Sequence, residues 1–230
     1  MSLQAVIFDF DGVIVDSEPL HFKGFQEVLK QIGIDLSREA YYSHYLGYDD
    51  HDCFAMVLAE RGEKADEDRV AELTRRKTLR MQALIGQSIE PLPGAVPLIR
   101  ALAENRTPMA ICSGALGHEI RQAAGAVGVV DFFPIIVSAE DVCYGKPDPE
   151  GYLQALDKLG RLHPEQSFSA GRCVVIEDSP FGIEAGKAAG MRVQAVATSY
   201  PASDLTEADR VIESLAQLGP ADLARLVEAG

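Results

Sequence analysis

Acidic residues stand at two places in the sequence where an apolar run ends. Asp9 and Asp11 follow the first such run, and Glu177 and Asp178 follow a later one. Carboxylate oxygens are the ligands that hard cations prefer in proteins, and Mg²⁺ is the natural ion for such a group. The four acids therefore predict a magnesium site.

A lysine and a serine add the polar groups that a phosphate ester would require beside these acids. Lys146 precedes Pro147, and Ser113 ends another apolar run. A carboxylate about 4 Å from a phosphate charge is repelled by roughly 4 kcal/mol at an effective dielectric of about 20, so a cation must stand between them. Lys146 would add a second positive charge, and the Ser113 hydroxyl a hydrogen bond to a phosphoryl oxygen. The pattern thus favours chemistry on a phosphate group.

Short apolar runs that alternate with helical patterns predict the elements that position these residues. We expect strands at residues 4–9, 109–113, 135–138, 173–177, 193–197 and 210–212. Strands that alternate with helices are typical of a parallel sheet with crossover connections, and such sheets bind ligands outside the carboxyl ends of their strands. The predicted fold is α/β, with a doubly wound parallel (Rossmann-like) sheet as its core. The acids, the serine and the lysine should meet at one edge of that sheet.

A helical block interrupts the predicted sheet after its first strand. A helix should begin near Ser17 and run to Gly33, and amphipathic segments follow near residues 37–45, 50–61 and 66–85, with no convincing strand between them. Prolines and a glycine then mark the end of the block. We expect a helical cap domain at residues 17–91, inserted into an α/β core made of residues 1–16 and 92–230.

The composition narrows the classes of partner. A net charge of −14 makes a nucleic acid an unfavourable partner, since a phosphate backbone is repelled by such a surface. The four cysteines are far apart and lack the close spacing of metal-thiolate or redox sites. No apolar run reaches the ~18 residues of a membrane span, and no signal-type segment precedes the first strand. We therefore expect a cytoplasmic protein with no nucleic-acid or membrane partner.

The site residues together resemble the motifs of a known enzyme superfamily. Residues 9–17 are similar to the first motif of the haloacid dehalogenase-like superfamily, Ser113 to its second and Lys146 to its third. Glu177 and Asp178 are similar to its fourth. The motifs come in the same order and cover essentially the whole chain, with the helical block where that superfamily has its first type of cap. The pattern is nearest to the branch of beta-phosphoglucomutase-like and sugar-phosphate phosphatases.

The resemblance implies a role for each acid. Asp9 would attack phosphorus and form a phosphoaspartate, while Asp11 would protonate the leaving oxygen and then deprotonate the attacking water. Asp9 and Asp178 would bind Mg²⁺ by their side chains and Asp11 by its backbone carbonyl. Glu177 would bind it either directly or through water. The implied function is that of a magnesium-dependent phosphatase acting on a small organic phosphate monoester.

Substrate contacts are expected from both parts of the chain. His21 follows the first motif by one helical turn and would face the substrate, and Lys77 would supply positive charge from the cap. The predicted substrate-binding residues are His21, Gly47, Lys77, Ser113, Gly114 and Lys146. Which ester is bound and how many copies of the chain assemble are both left open by the sequence.

Two other functions compete with the phosphatase hypothesis. A beta-phosphoglucomutase-type mutase must bind a second phosphate, and mutases of this type have an arginine shortly after the glycine equivalent to Gly47. Here residues 48–52 contain three aspartates instead, which favours hydrolysis, although Lys77 and Arg80 would still provide cap charge. A catalytically silent binding module is the other alternative, and it is disfavoured because every charged position that the chemistry requires is present. A dehalogenase is disfavoured as well, because breaking a carbon–halogen bond would not need a second aspartate such as Asp11 to protonate an oxygen leaving group.

Overall fold

The chain consists of two units, the second of which is inserted into the first. The computed structural model describes residues 2–46 and 48–228. The first unit, here called the core unit, contains the chain up to Asp16 and again from Glu90 onward. The second, the inserted unit, is Ser17–Ile89.

A six-stranded parallel sheet forms the centre of the core unit. Its strands are β1 Ala5–Phe8, β4 Met109–Cys112, β5 Ile135–Val137, β6 Cys173–Glu177, β7 Arg192–Val196 and β8 Arg210–Ile212. They lie side by side in the order β5-β4-β1-β6-β7-β8. All neighbouring pairs in this sheet are parallel. The α/β fold with a doubly wound parallel sheet is therefore confirmed.

Helices cover the sheet because their apolar residues fall on one face. The core-unit helices are α5 Ala95–Glu104, α6 Gly117–Ala126, α7 Glu150–Leu162, α8 Pro180–Ala188 and α9 Pro220–Glu228. On α7, Tyr152, Ala155 and Leu159 recur at helical spacing and are all fully buried, in one apolar cluster with strand residues such as Ile7 and Val175. Removing these side chains from water stabilises the sheet with α7 packed on it.

The order in which strands are added to the sheet reverses between β1 and β6. From β1 the next strand of the sheet is β4 on one side, and from β6 it is β7 on the other side. Such a switch point opens a crevice at the carboxyl ends of the two central strands, where doubly wound proteins bind their ligands. Asp9 follows β1, and Glu177 ends β6.

A second, very small sheet lies where the chain leaves and re-enters the core unit. Strands β2 (Val15–Asp16) and β3 (Glu90–Pro91) are antiparallel, with Val15 opposite Pro91 and Asp16 opposite Glu90. These strands were not predicted, because two residues are too few to show a periodic pattern.

The inserted unit is helical. Its helices are α1 Glu18–Lys30, α2 Arg38–Ala40, α3 Asp50–Glu60 and α4 Glu67–Ser88, with a π-helical turn over Tyr41–Tyr45. They enclose an apolar cluster that includes Phe25, Leu29 and Phe54. Ser17 occupies the position before α1, but its side chain makes no capping hydrogen bond. The helix ends at Lys30, three residues before the predicted end at Gly33.

None of the helices in the described ranges combines the length and the apolar composition that a membrane span requires.

Candidate active site

Three carboxylates meet at the switch point of the sheet. The backbone N–H of Asp9 donates to the Ile176 carbonyl at 2.9 Å, which holds Asp9 directly beside the end of β6. Carboxylate oxygens of Asp9, Glu177 and Asp178 all lie within 4.8 Å of one another. All three residues are buried, and Glu177 has no exposed surface. The structure thus brings together three of the four predicted metal-binding acids in one buried group.

Lys146 binds two of these carboxylates at once. Its ammonium lies 2.5 Å from Asp9 Oδ1 and 2.6 Å from Glu177 Oε1. When ionised, three carboxylates and one ammonium leave two negative charges in a buried space. A divalent cation would neutralise both, and an all-oxygen donor set is the one that Mg²⁺ takes.

Burial and the neighbouring charges together shift the pKa values of these groups. Burial raises the pKa of Asp9 well above its usual value; Lys146 opposes this shift, and the neighbouring carboxylates add to it. Burial, followed by the Glu177 charge, raises the pKa of Asp178 to about 7, and Asp11 contributes in the same direction. Burial would lower the pKa of Lys146, but the Asp9 and Glu177 carboxylates raise it above its ordinary value. The lysine therefore remains charged at neutral pH, and a second cation would keep the acids ionised.

A tight turn after β1 carries Asp11. The Phe10 carbonyl accepts hydrogen bonds from the backbone N–H groups of Ile14 at 2.8 Å and Val15 at 3.2 Å. Gly12 has a φ of +75°, in the left-handed region that favours glycine. The turn brings Asp11 close enough to influence the pKa of Asp178.

The loop after β7 joins this turn to Asp178. The Thr198 hydroxyl donates to the Gly12 carbonyl, and the Ser199 hydroxyl hydrogen-bonds with the Asp178 carboxylate. Neither residue was predicted. Two hydroxyls directly after a predicted strand are a signal that could have found them, since the carboxyl ends of parallel strands meet at one edge.

Ser113 and Gly114 lie at the end of β4, on the Lys146 side of the site. The Ser113 N–H donates to the Val137 carbonyl at 3.0 Å, and its Oγ accepts from the Ala115 N–H at 3.0 Å. Together with Lys146, these two residues line a cavity of about 230 Å³. Gly114 is exposed, and a β-carbon built on it would have no atom within 4 Å.

Glu177 accepts hydrogen bonds on both of its oxygens. Oε2 accepts from the N–H groups of Asp178 at 2.8 Å and Ser179 at 3.0 Å, and from the Ser179 hydroxyl at 3.0 Å. Oε1 accepts from Lys146 and, at 2.8 Å, from the Tyr152 hydroxyl. Lys146 and these hydrogen bonds together outweigh burial and lower the pKa of Glu177. Tyr152 was missed because it lies within an amphipathic helix, where an aromatic residue indicates only core packing.

The remaining predicted substrate-binding residues belong to the inserted unit. Lys77 is fully buried there; its ammonium lies 2.7 Å from His21 Nδ1, makes an ion pair with Asp50, and stands 4.4 Å from the centre of the Phe25 ring. Burial and the Lys77 charge lower the pKa of His21 to about 3, so this histidine is neutral at physiological pH. Gly47 lies outside the described residues.

Arg80 is also paired within the inserted unit. Its guanidinium makes two hydrogen bonds to the Glu27 carboxylate. Lys77 and Arg80, the two cations that the sequence offered for a second phosphate, are therefore both paired with acids of the inserted unit.

Comparison with known proteins finds similarity to hydrolases and sugar-phosphate phosphatases. The model of a family described as haloacid dehalogenase-like hydrolases matches residues 6–196. The chain is 34% identical to the fructose-1-phosphate phosphatase YqaB of Escherichia coli over 186 residues, which are 81% of this chain and 92% of that protein. It is 30% identical to hexitol phosphatase A of Escherichia coli over 95% of this chain and 94% of that protein.

A solved structure also resembles the chain closely. The crystal structure of CbbY from Rhodobacter sphaeroides in complex with phosphate aligns with a TM-score of 0.79 and 26% identity. The alignment covers 94% of this chain and 96% of that one.

Proposed function

The chain belongs to the family of haloacid dehalogenase-like hydrolases, and from this premise we propose that it is a magnesium-dependent phosphatase of small sugar or polyol phosphates. The observation that carries the proposal is the Asp9 carboxylate at the sheet's switch point, held by Lys146 and flanked by Glu177 and Asp178. This arrangement supports the proposal because it offers a carboxylate that would act as the nucleophile, a fixed positive charge and a group of oxygens that would bind a metal, all in one buried place. Two similar proteins from Escherichia coli are named as phosphatases of fructose 1-phosphate and of hexitol phosphates, which suggests the class of ester.

In the proposed reaction Asp9 acts as the nucleophile. Lys146 binds Oδ1 and so orients the carboxylate, and Asp9 forms a bond to phosphorus while the bond from phosphorus to the ester oxygen breaks. Asp11 gives a proton to the leaving oxygen. Asp11 then takes a proton from the water that attacks the phosphoaspartate, which releases phosphate and restores Asp9.

The remaining site residues bind and neutralise the phosphoryl group. Lys146 contributes positive charge, and Ser113 contributes a hydroxyl at the neighbouring strand end. Asp9 and Asp178 would hold Mg²⁺ by their side chains and Asp11 by its backbone carbonyl, with Glu177 in support either directly or through water. When bound, the ion supplies the charge that offsets the carboxylates and the phosphate.

A phosphosugar mutase is the second candidate, and the contacts of Lys77 and Arg80 argue against it. A mutase must bind a bisphosphate, which requires a free cation for the second phosphate. Lys77 is fully buried and paired with Asp50, and Arg80 is paired with Glu27. Neither of these two cations is therefore free to bind a second phosphate, which favours an ester with a single phosphate over a bisphosphate.

The test is to measure phosphate release from fructose 1-phosphate, hexitol phosphates, phosphoglycolate and nucleotides, with Mg²⁺ and with a chelator. We expect release from sugar or polyol phosphates with Mg²⁺, none with the chelator, and none from an Asp9→Asn variant used as the control for contaminating phosphatases. No release from any ester would refute the proposal and favour a catalytically silent module.

A second assay separates hydrolase from mutase. The enzyme is incubated with beta-glucose 1-phosphate and a trace of glucose 1,6-bisphosphate, while glucose 6-phosphate and free phosphate are both followed. Glucose 6-phosphate that forms much faster than free phosphate would make the protein a mutase.

A further inference from the structure

Tyr152 places a phenol hydroxyl in the interior of the core unit, beneath the group of site residues. It lies in the first turn of α7 and has no exposed surface, although its neighbours on the same buried face, such as Ala155 and Leu159, are entirely apolar. A buried hydroxyl costs free energy unless it is hydrogen-bonded. Its hydrogen bond goes to Glu177 Oε1 at 2.8 Å.

The same oxygen also binds Lys146. The Lys146 ammonium lies 2.6 Å from Glu177 Oε1 and 2.5 Å from Asp9 Oδ1, so it is shared between the two acids. It also stands 5.2 Å from the centre of the Tyr152 ring. Tyr152 therefore touches Glu177 with its hydroxyl and lies near Lys146 with its ring.

We propose that Tyr152 is a positioning residue that sets how Lys146 is divided between Glu177 and Asp9. The Tyr152 hydroxyl satisfies part of the hydrogen-bonding capacity of a fully buried carboxylate. Without it, Glu177 Oε1 would have Lys146 as its one remaining side-chain donor in the described part of the chain and would draw the ammonium away from Asp9. Asp9 would then lose the charge that orients it and that offsets the charge of the phosphoryl group.

This inference rests on the proposed phosphatase function, and Tyr152→Phe isolates the hydroxyl because the ring remains. We expect kcat for the best ester to fall by about tenfold, as a lost hydrogen bond to a charged group implies, while KM changes less than about threefold. The Mg²⁺ affinity of the substrate-free enzyme, measured by calorimetry, should stay within about threefold of the wild type. Such a result would show that the Tyr152 hydroxyl supports the nucleophile Asp9 and not the binding of Mg²⁺.

A double-mutant cycle with Lys146→Ala shows whether Tyr152 acts through the lysine. In the Lys146→Ala background, Tyr152→Phe should lower kcat no further, because there is no ammonium left to position. The control is Leu159→Ala on the same buried face of α7, which should lower the melting temperature and leave kcat within about twofold.

Each other outcome overturns the inference. Additive losses in the cycle would show that Tyr152 acts independently of Lys146. A parallel loss of Mg²⁺ affinity would show that it supports the metal site through Glu177, and an equal loss of kcat in Leu159→Ala would show a purely structural effect. A wild-type enzyme that releases phosphate no faster than Asp9→Asn would instead refute the proposed function itself.

Discussion

The Asp178 carboxylate fills the space in which a side chain on Gly12 would begin. A β-carbon built on Gly12 would lie 1.8 Å from Asp178 Oδ2, far inside any permitted contact. The turn after β1 and the end of β6 can therefore approach each other only because residue 12 is glycine. This approach is what brings the Asp11 backbone and the Asp178 side chain to one place.

Gly12→Ala should disrupt the metal site. The new methyl group must displace Asp178 or the turn, so we expect Mg²⁺ affinity to fall at least tenfold and turnover to fall with it. The matched control is Gly33→Ala, which has a similar φ of +79° but no atom within 4 Å of the new β-carbon. Both substitutions place a side chain at a positive φ, which costs about 1–2 kcal/mol of backbone strain. Only Gly12→Ala should also show a weaker Mg²⁺ affinity in calorimetry. Equal metal affinity in the two variants would contradict this prediction.

Asp9→Asn should remove turnover without unfolding the protein. The change is nearly isosteric and deletes the charge that we propose attacks phosphorus, while the backbone hydrogen bond from residue 9 to Ile176 remains. Phosphate release and the far-UV circular dichroism spectrum of the purified variant would be measured together. Turnover above that of a mock preparation would rule out Asp9 as the nucleophile.

Lys146→Ala should lower kcat at least a hundredfold and leave Mg²⁺ bound. Removing one oriented charge beside a transferring phosphoryl group typically costs a few kcal/mol in the transition state. Lys158→Ala is the control, since Lys158 lies on α7 and pairs with Asp141 at a solvent-exposed position. If calorimetry found that Lys146→Ala lost its metal while retaining its chemistry, the role given to Lys146 would be wrong.

His21 should make the protein less stable as the pH falls below about 6.5. Its pKa is lowered from 6.5 to about 3 in the folded protein, by burial and then by Lys77, so below about 6.5 the unfolded chain binds a proton that the folded chain does not. Stability is therefore lost progressively as the pH falls from about 6.5 toward 3.

The measurement is the free energy of unfolding in urea at pH 7 and pH 5, for the wild type and for His21→Gln. The loss between the two pH values should be smaller in the variant by about 1–2 kcal/mol. His44→Gln, at an exposed histidine of the same unit, is the control. An identical loss in wild type and His21→Gln would mean that His21 is protonated in the folded state as readily as in the unfolded one.

The sequence predicted the large sheet well because each of its strands is a buried apolar run. Ala5–Phe8 and Cys173–Glu177 are buried along their whole length, and acids follow or end them, so both the strands and the edge they share are visible in the pattern. The positions of Asp9, Glu177 and Asp178 in one group follow from that topology.

What the sequence could not predict depends on single contacts between distant residues. The burial of Lys77 beside Asp50 depends on how α1, α3 and α4 pack, and a lysine within a basic run carries no sign of it. The Tyr152 hydroxyl and the Ser199 hydroxyl likewise contact residues 25 and 21 positions away in the chain. The short pair of strands β2 and β3 falls below the length at which periodicity can be recognised.

That short pair of strands has a consequence for how the chain can be altered. Because Asp16 stands opposite Glu90, the two ends of the inserted segment are neighbours, and the segment forms one long excursion from an otherwise continuous framework. Closing such an excursion costs entropy that grows only slowly with its length. Segments of very different size can therefore be grafted between these two strands without rethreading the sheet, which makes the junction a natural point for recombination between relatives and for the construction of chimeras.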